Sequence, residues 1–379
     1  MSEFSSHRVL VAPLDWGLGH ATRCVPVIKK LQEEGKEVIL TANGRAEHFL
    51  KAEFPELEFV YSPEYRIRYS KYFPLWVMMI VQAPLFILNI YREHGWLNKF
   101  LERKGIDEVI SDNRYGLWSK KIPCVFITHQ LMIKLPGIIK FLEPIIHKLI
   151  ISFVKKYSEC WIPDVEGNEN LSGELSHQYK IPENTKFIGT LSRFQKLKDD
   201  LKVQLLAATK ESSYSICFIL SGPEPQRTFL EKQIHSLENS LPAKSILLQG
   251  KPGKIKKENI GQNLTILSHV DDNDFKKIIQ YSELIVCRAG YSSIMDLKIL
   301  GKSALLIPTP GQTEQEYLAE YLSERGEFET MKQGNFSKDF TPYQETFFTQ
   351  KRGENNKDSN FSTRIQNDRR SRDRITLVE

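Results

Sequence analysis

Cysteine is scarce in this chain and is not patterned. Five occur among 379 residues, at Cys24, Cys124, Cys160, Cys217 and Cys287, mostly inside apolar runs. With no C-x-x-C pair, a disulfide framework or a zinc site is not indicated, and buried thiols in a reducing cytosol are expected. An excess of one charge is missing too. Lys and Arg number 52 against 47 Asp and Glu, a formal net charge of +5, too mild to point to a nucleic-acid partner. A secretory leader is not expected, because the apolar run from Val9 to Leu14 is short and reads as a strand. The chain also lacks an unbroken hydrophobic run of membrane-spanning length. Its most apolar stretch, YFPLWVMMIVQAPLFILNIY from Tyr72 to Tyr91, contains Pro74, Pro84 and Gln82 and reads as a buried or interfacial helix pair.

What is present is alternation. Strands are expected at Arg8–Leu14, Glu37–Ala42, Leu57–Tyr61, Glu108–Ser111 and Cys124–Thr128, with a first helix from about Ala21 to Glu34 stopped at Gly35. A second alternation begins near Ile188. YSICFILSG, AKSILLQG, LTILSHV, ELIVCRAG and SALLIPTP read as strands, and helices follow near Gln226, Asp271, Tyr291 and Thr313. Such order predicts parallel sheets covered on both faces. The class is therefore α/β, with two doubly wound Rossmann-like domains. We expect an N-terminal domain at 1–188 and a C-terminal domain at 189–335. From about Asn335 the apolar period fades, and from Lys351 the chain is nearly all polar, so 336–379 reads as a disordered or degenerate tail.

Chemistry-bearing residues gather after strands. GLGHATR, Gly17 to Arg23, follows the first strand; Gly17 and Gly19 permit the turn, Thr22 replaces the last glycine of a dinucleotide fingerprint, and His20 is an added base candidate. CRAGYSSIMD, Cys287 to Asp296, places Arg288, Gly290, Ser292 and Ser293 at a helix start suited to a diphosphate. Asp296, one turn further on, is positioned for a ribose diol. Gln312, Gln315 and Glu316 follow the next strand and suit sugar hydroxyls. SGPEPQRTF supplies Ser221, Gly222, Gln226 and Arg227 as further diphosphate contacts, or as a proline-shaped turn. SDNRYG supplies Asp112, Asn113 and Arg114 as acceptor-side contacts, or as an Asx turn. Asp272-Asn273-Asp274 reads as a helix cap and not as a metal site. The apolar segment at 72–91 and the lysine-bearing apolar segment at 131–157 fit either core helices with snorkelling lysines or a face that dips into an anionic membrane.

HVDDNDFKKIIQYSELIVCRAGYSSIMDLKILGKSALLIPTPGQTEQEY and GLGHATR together resemble the GT-B glycosyltransferases of family 28, including the peptidoglycan lipid-linked N-acetylglucosaminyltransferases. That resemblance spans roughly Arg8 to Leu322. It implies two domains facing a central cleft and transfer of a hexose-type sugar from a UDP-sugar co-substrate to a glycan or lipid-linked acceptor. Inversion without a catalytic metal or other cofactor is implied as well. By position, Asp296 would hold the ribose, Gln315 and Glu316 the donor sugar, and His20 would be the base. A cytoplasmic location, peripheral on the inner face of the membrane, is the matching expectation. Asp296 stands where the family usually has Glu, SGPEPQR replaces its Gly-Gly-Ser-Gln loop, and the family's closing helix has no recognised equivalent after Asn335. An epimerase-like enzyme acting on UDP-sugars, or a non-catalytic nucleotide-sugar binder, is the alternative.

Overall fold

The computed structural model describes residues 7–63, 75–195, 214–222, 224–251 and 256–352. The first half is a seven-stranded parallel sheet. Its strands are β1 (Arg8–Pro13), β2 (Glu37–Leu40), β3 (Glu58–Phe59), β4 (Glu108–Asp112), β5 (Cys124–Ile127), β6 (Glu159–Ile162) and β7 (Thr185–Phe187), in the order β3-β2-β1-β4-β5-β6-β7. The helices α1 (Leu18–Glu33) and α2 (Gly44–Glu53) cover one face. The other face packs against α3 (Leu75–Lys104) and α4 (Glu143–Val154). Strands wedged between helices must be apolar on both faces, and Val9, Leu10, Val11 and Ala12 are all fully buried.

The second half repeats the plan. Its strands are β8 (Tyr214–Ile219), β9 (Ser245–Leu248), β10 (Lys257–Ile260), β11 (Leu264–Leu267), β12 (Ser282–Cys287), β13 (Leu305–Leu306) and β14 (Glu329–Thr330), in the order β10-β11-β9-β8-β12-β13-β14. The edge strand β10 runs antiparallel; the other pairings are parallel. Around it lie α5 (Gln226–Ser236), α6 (Asp272–Gln280), α7 (Tyr291–Ile299) and α8 (Thr313–Glu324). In each sheet the chain winds away in opposite directions from one central strand pair, β1/β4 and β8/β12. Ligands of open α/β sheets bind at the carboxyl ends of such a pair.

Three expectations need correction. Pro84 does not interrupt its segment: it lies inside the single helix α3, which continues to Lys104. The carbonyl that proline leaves unbonded belongs to Ile80, itself half exposed, so water can take the missing bond. Residues 336–352, expected within the tail, are helical. Phe336 and Phe340 are fully buried there, and Tyr343, Phe347 and Phe348 pack on the same core as Phe218 and Leu230. Their spacing is an apolar helical stripe written in aromatic residues. Short strands β6, β7 and β10 were not expected either; the first two are only four and three residues long. All five cysteines are free and buried, and burial pushes the Cys124, Cys160 and Cys287 thiols up to about 12. Residues 353–379 and 72–74 of the sequence readings lie outside the described residues.

Because Phe340 stacks on Phe336 at 4.7 Å between ring centroids and tilts against Phe218 at 5.6 Å, Phe340→Ala is expected to cost about 3–5 kcal/mol of stability. A urea titration followed by far-UV circular dichroism measures it; a loss below about 1 kcal/mol would show that the last helix is not part of the core.

Candidate active site

The strand ends at β1 and β4 meet as the topology requires. After β1 the chain turns through Gly17, whose φ of 92° favours glycine, and enters α1. The first turn of α1 carries His20, part-buried, and the second carries Arg23, almost fully buried. At the end of β4, fully buried Asp112 accepts from Arg23 through Nε at 2.6 Å and through Nη2, a two-pronged ion pair. Asp112 Oδ1 also lies 3.1 Å from His20 Nδ1. Burial opposes ionisation of Asp112, but the neighbouring Arg23 and His20 outweigh it and hold the carboxyl well below the usual carboxylate range. The His20 Nδ1 stands between this acceptor and Arg23 Nη2 at 2.9 Å, so its tautomer follows the neighbour with which it pairs.

A second histidine completes the cluster. His129 follows β5 and is buried. Arg23 Nη1 donates to its Nδ1 at 3.0 Å. Because guanidinium only donates, Nε2 carries the ring hydrogen and donates to Glu314 Oε1 at 2.9 Å. Burial, with Arg23 and His20 nearby, lowers the His129 pKa despite Glu314. Glu314 sits in the first turn of α8, and His129 stacks on Tyr291, at the start of α7, 4.1 Å between centroids and 1° from parallel. Two sheets are thereby joined through one imidazole. Close by, Ser292 Oγ donates to the Gly19 carbonyl at 2.8 Å. A Cβ on Gly19 would lie 3.1 Å from that oxygen, so glycine there is what lets the two halves approach.

The expected donor residues divide into occupied and open groups. Asp296 is buried, accepts from Ser192 Oγ at 2.6 Å and lies 3.4 Å from Arg193 Nε. Burial raises its pKa against Arg193 and Ser192. Arg227 is buried and bonded to Glu224 and Glu231 at 2.7 and 3.0 Å. Gln315 Oε1 accepts from the Thr309 amide at 2.9 Å, and Glu316 Oε1 from the Gly311 amide at 2.8 Å, so both brace the loop before α8. Ser221, Gly222, Gly290 and Ser293 stand at the ends of β8 and β12, and the start of α7 has no side-chain cap. Beneath them Arg288, fully buried, donates to the Gln226 carbonyl at 2.8 Å and the Ile307 carbonyl at 3.1 Å, while its Nε has no partner. Burial alone moves it down to about 10. Thr309 Oγ1 and Gln312 Oε1 are buried without a partner, and Thr309 Oγ1 lies 3.6 Å from a Cβ built on Gly222. Buried polar atoms of this kind take their missing bonds from solvent or from a ligand.

The acceptor-side reading of SDNRYG changes. Asp112 lies behind His20, not in front of it. Arg114 is buried on Glu93 Oε1 at 3.0 Å and Ser62 Oγ at 2.8 Å, tying β4 to α3, and Asn113 adopts φ 58° in the turn. These side chains are drawn inward because a charged loop at a buried strand end needs internal partners. Of the D-x-D-like run, Asp272 pairs with Arg193 at 2.5 Å and Asp271 caps α6 by accepting from the Asp274 amide at 2.8 Å. Sequence reasoning missed Arg23, His129, Thr309 and Glu314. A single His directly after a buried strand, as in VFITHQ, was the available signal for His129.

Residues 216–364 match the glycosyltransferase family 28 C-terminal domain. No curated protein matches the chain. Among solved structures, the glycosyltransferase of kitacinnamycin aligns with a TM-score of 0.56 at 11% identity, covering 90% of this chain and 94% of that one. MurG of Acinetobacter baumannii gives 0.52 at 15% identity over 91% and 90%. The spinosyn rhamnosyltransferase SpnG, solved with thymidine diphosphate, gives 0.55 at 13% over 90% and 89%. At these identities the likeness establishes the fold: two Rossmann-like domains in the GT-B arrangement.

Removing one partner of a buried ion pair strands the other charge, so Arg23→Met is expected to cost about 3–5 kcal/mol. The Asp112 carboxyl is depressed in the fold, so its stabilisation is complete above about pH 4, the ordinary carboxylate value, and fades as the pH falls below it. Urea midpoints collected against pH should show this acid limb in the native chain and not in Arg23→Met; superimposable curves would refute the pairing.

Proposed function

We propose that this chain, a glycosyltransferase by its family 28 C-terminal domain and its GT-B fold, moves a hexose-type sugar from a UDP donor to the hydroxyl of a lipid-linked or glycan acceptor, with inversion. The observation that carries the reading is His20 held by Asp112 at the β1/β4 crevice while the uncapped start of α7 meets the same loop. With Nδ1–H donating to Asp112, Nε2 keeps its lone pair. The acceptor hydroxyl loses its proton to Nε2 as its oxygen bonds to the anomeric carbon. The bond from that carbon to the diphosphate oxygen breaks on the opposite face, and its electron pair leaves with UDP. One displacement inverts the centre.

The departing negative charge is met by amide N–H groups of Ser292 and Ser293 at the helix start and by the buried Arg288, whose carbonyl partners offer no neutralising carboxylate. In this reading these protein groups serve where other transferases use a metal ion. Gln312 and Thr309, with their unpaired oxygens, face the sugar hydroxyls, while Gln315 and Glu316 shape the loop that presents them. The ribose role of Asp296 requires it to leave Ser192 and Arg193, a movement that donor-driven closure would supply.

Apolar side chains support an acceptor delivered from a lipid surface and weigh against epimerisation, which needs no second substrate. Val81, Leu85 and Leu88 on α3 are 54–66% exposed, and Ile138 and Phe141, just before α4, are 84% and 72% exposed. Lys140 lies between Ile138 and Phe141 in sequence, and Lys148 follows in α4. Among the described residues no helix is long and apolar enough to cross a membrane, and we place these faces against the inner leaflet from the cytoplasmic side.

His20→Ala should lower turnover by about 10²–10⁴-fold with UDP affinity, by calorimetry, kept within twofold. Affinity lost together with turnover would remove the base assignment. Ile138→Glu with Phe141→Glu should abolish co-sedimentation with vesicles containing anionic phospholipid, and retained sedimentation would remove the membrane placement.

A further inference from the structure

The helices α3 and α4 turn apolar stripes toward each other and do not close. Trp76, Met79, Ala83 and Phe86 recur at helical spacing on one side; Leu149 and Phe153 recur on the other. Facing stripes of this kind ordinarily interdigitate, with axes 8–10 Å apart, and protein interiors keep few voids larger than a water molecule. Here they bound a cavity of about 270 Å³.

The cavity has two unlike ends. Its inner wall is Gln130 with Gln312, Thr313 and Glu314. Glu314 is the carboxylate bonded to His129, and through Arg23 that bond reaches His20. Its outer wall includes Ile80 and Leu149, 50% and 47% exposed, so it opens onto the apolar face that carries Val81 and Leu85. An occupant must therefore be polar where it meets the catalytic cluster, apolar along its length, and free to continue outward. Charge narrows it further. The single cation on the described wall, Lys134, is already bonded to Glu174, and Glu314, whose cationic neighbour Arg23 lies behind His129 and off that wall, puts a carboxylate at the inner end.

We propose that this cavity receives the proximal part of a linear hydrocarbon chain belonging to the acceptor, and that the acceptor's head is an uncharged hydroxyl-bearing group. The inference rests on the transferase reading above and extends it by naming the acceptor's chemistry: a neutral single-chain amphiphile, not an anionic lipid head. The chain fixes the register of the head. The hydroxyl then stands beside Gln312 and Glu314, in front of His20, while the remainder of the chain stays in the lipid surface against α3.

The test uses the full chain with 11-bromo-1-undecanol, whose bromine quenches tryptophan emission on contact. Saturable quenching is expected in the native chain; because Trp16 and Trp76 both line the cavity, it is expected to fall in Trp76→Phe and to vanish in Trp76→Phe combined with Trp16→Phe. Ala83→Phe and, as an independent filling variant, Leu149→Phe should each weaken it at least tenfold. 11-Bromoundecanoate, ionised at pH 8, should bind at least fivefold more weakly than the alcohol. Quenching that does not saturate, that survives both filling variants, or that is as strong with the carboxylate overturns the proposal. Thermal shift with UDP in the same samples separates the two readings. Chain binding without any UDP shift removes the transferase donor assignment alone, and a UDP shift without chain binding removes the cavity assignment alone.

Discussion

A buried ion pair organises the crevice at the ends of β1 and β4. Asp112 is wholly removed from water at the end of a central strand, and a carboxylate there is tolerable only because Arg23 meets it with two donors. The consequences spread from that requirement. Arg23 must point inward from α1, which sets the rotation of the helix and thereby the place of His20 one turn earlier. Its remaining donor reaches His129, and His129 reaches Glu314 in the other half. A single guanidinium thus sets the orientation of His20 and one of the polar links between the domains.

The approach of the two halves depends on small and flat groups. Gly19 gives Ser292 room to bond to its carbonyl, and the His129 and Tyr291 rings lie face to face. Neither contact buries much apolar surface compared with the two domain cores. The larger contact lies elsewhere along the seam, where Leu171 and Leu175 pack into the core of the second half and the Tyr321 hydroxyl donates to Asn170 Oδ1 at 3.0 Å. The Asp296 carboxylate is engaged by Ser192 and Arg193 in the chain linking the halves, which ties that linker to α7 of the second domain.

Packing elsewhere shows what an incomplete fit means. The second sheet is sealed by the aromatic stripe of residues 336–352, filled to the point that Phe336 and Phe340 are inaccessible. In the first domain the corresponding apolar helices α3 and α4 leave a cavity instead, and much of α3 remains exposed. The same residue types therefore close one domain and, among the described residues, leave a cavity in the other.

The strand–helix alternation, both glycine-containing turns and His20 were legible in the sequence, because periodicity and turn chemistry act over a few residues. So was the loop after β12, through its match to a known motif. Local reading failed where partners are distant. Asp112 and Arg114 look alike as loop polar residues, yet one backs the base and the other ties down α3, because each is satisfied by a residue far away in the chain. His129 and Glu314, separated by 185 positions, carry no shared pattern, and the last helix was missed because its stripe is aromatic and isolated from the preceding repeat. The sequence by itself determined which segments are strands and helices and which loops stand at strand ends. Only the tertiary structure decided which polar side chains face the cleft and which are consumed inside, since burial forces every charge to find a partner and the choice among partners is made by packing.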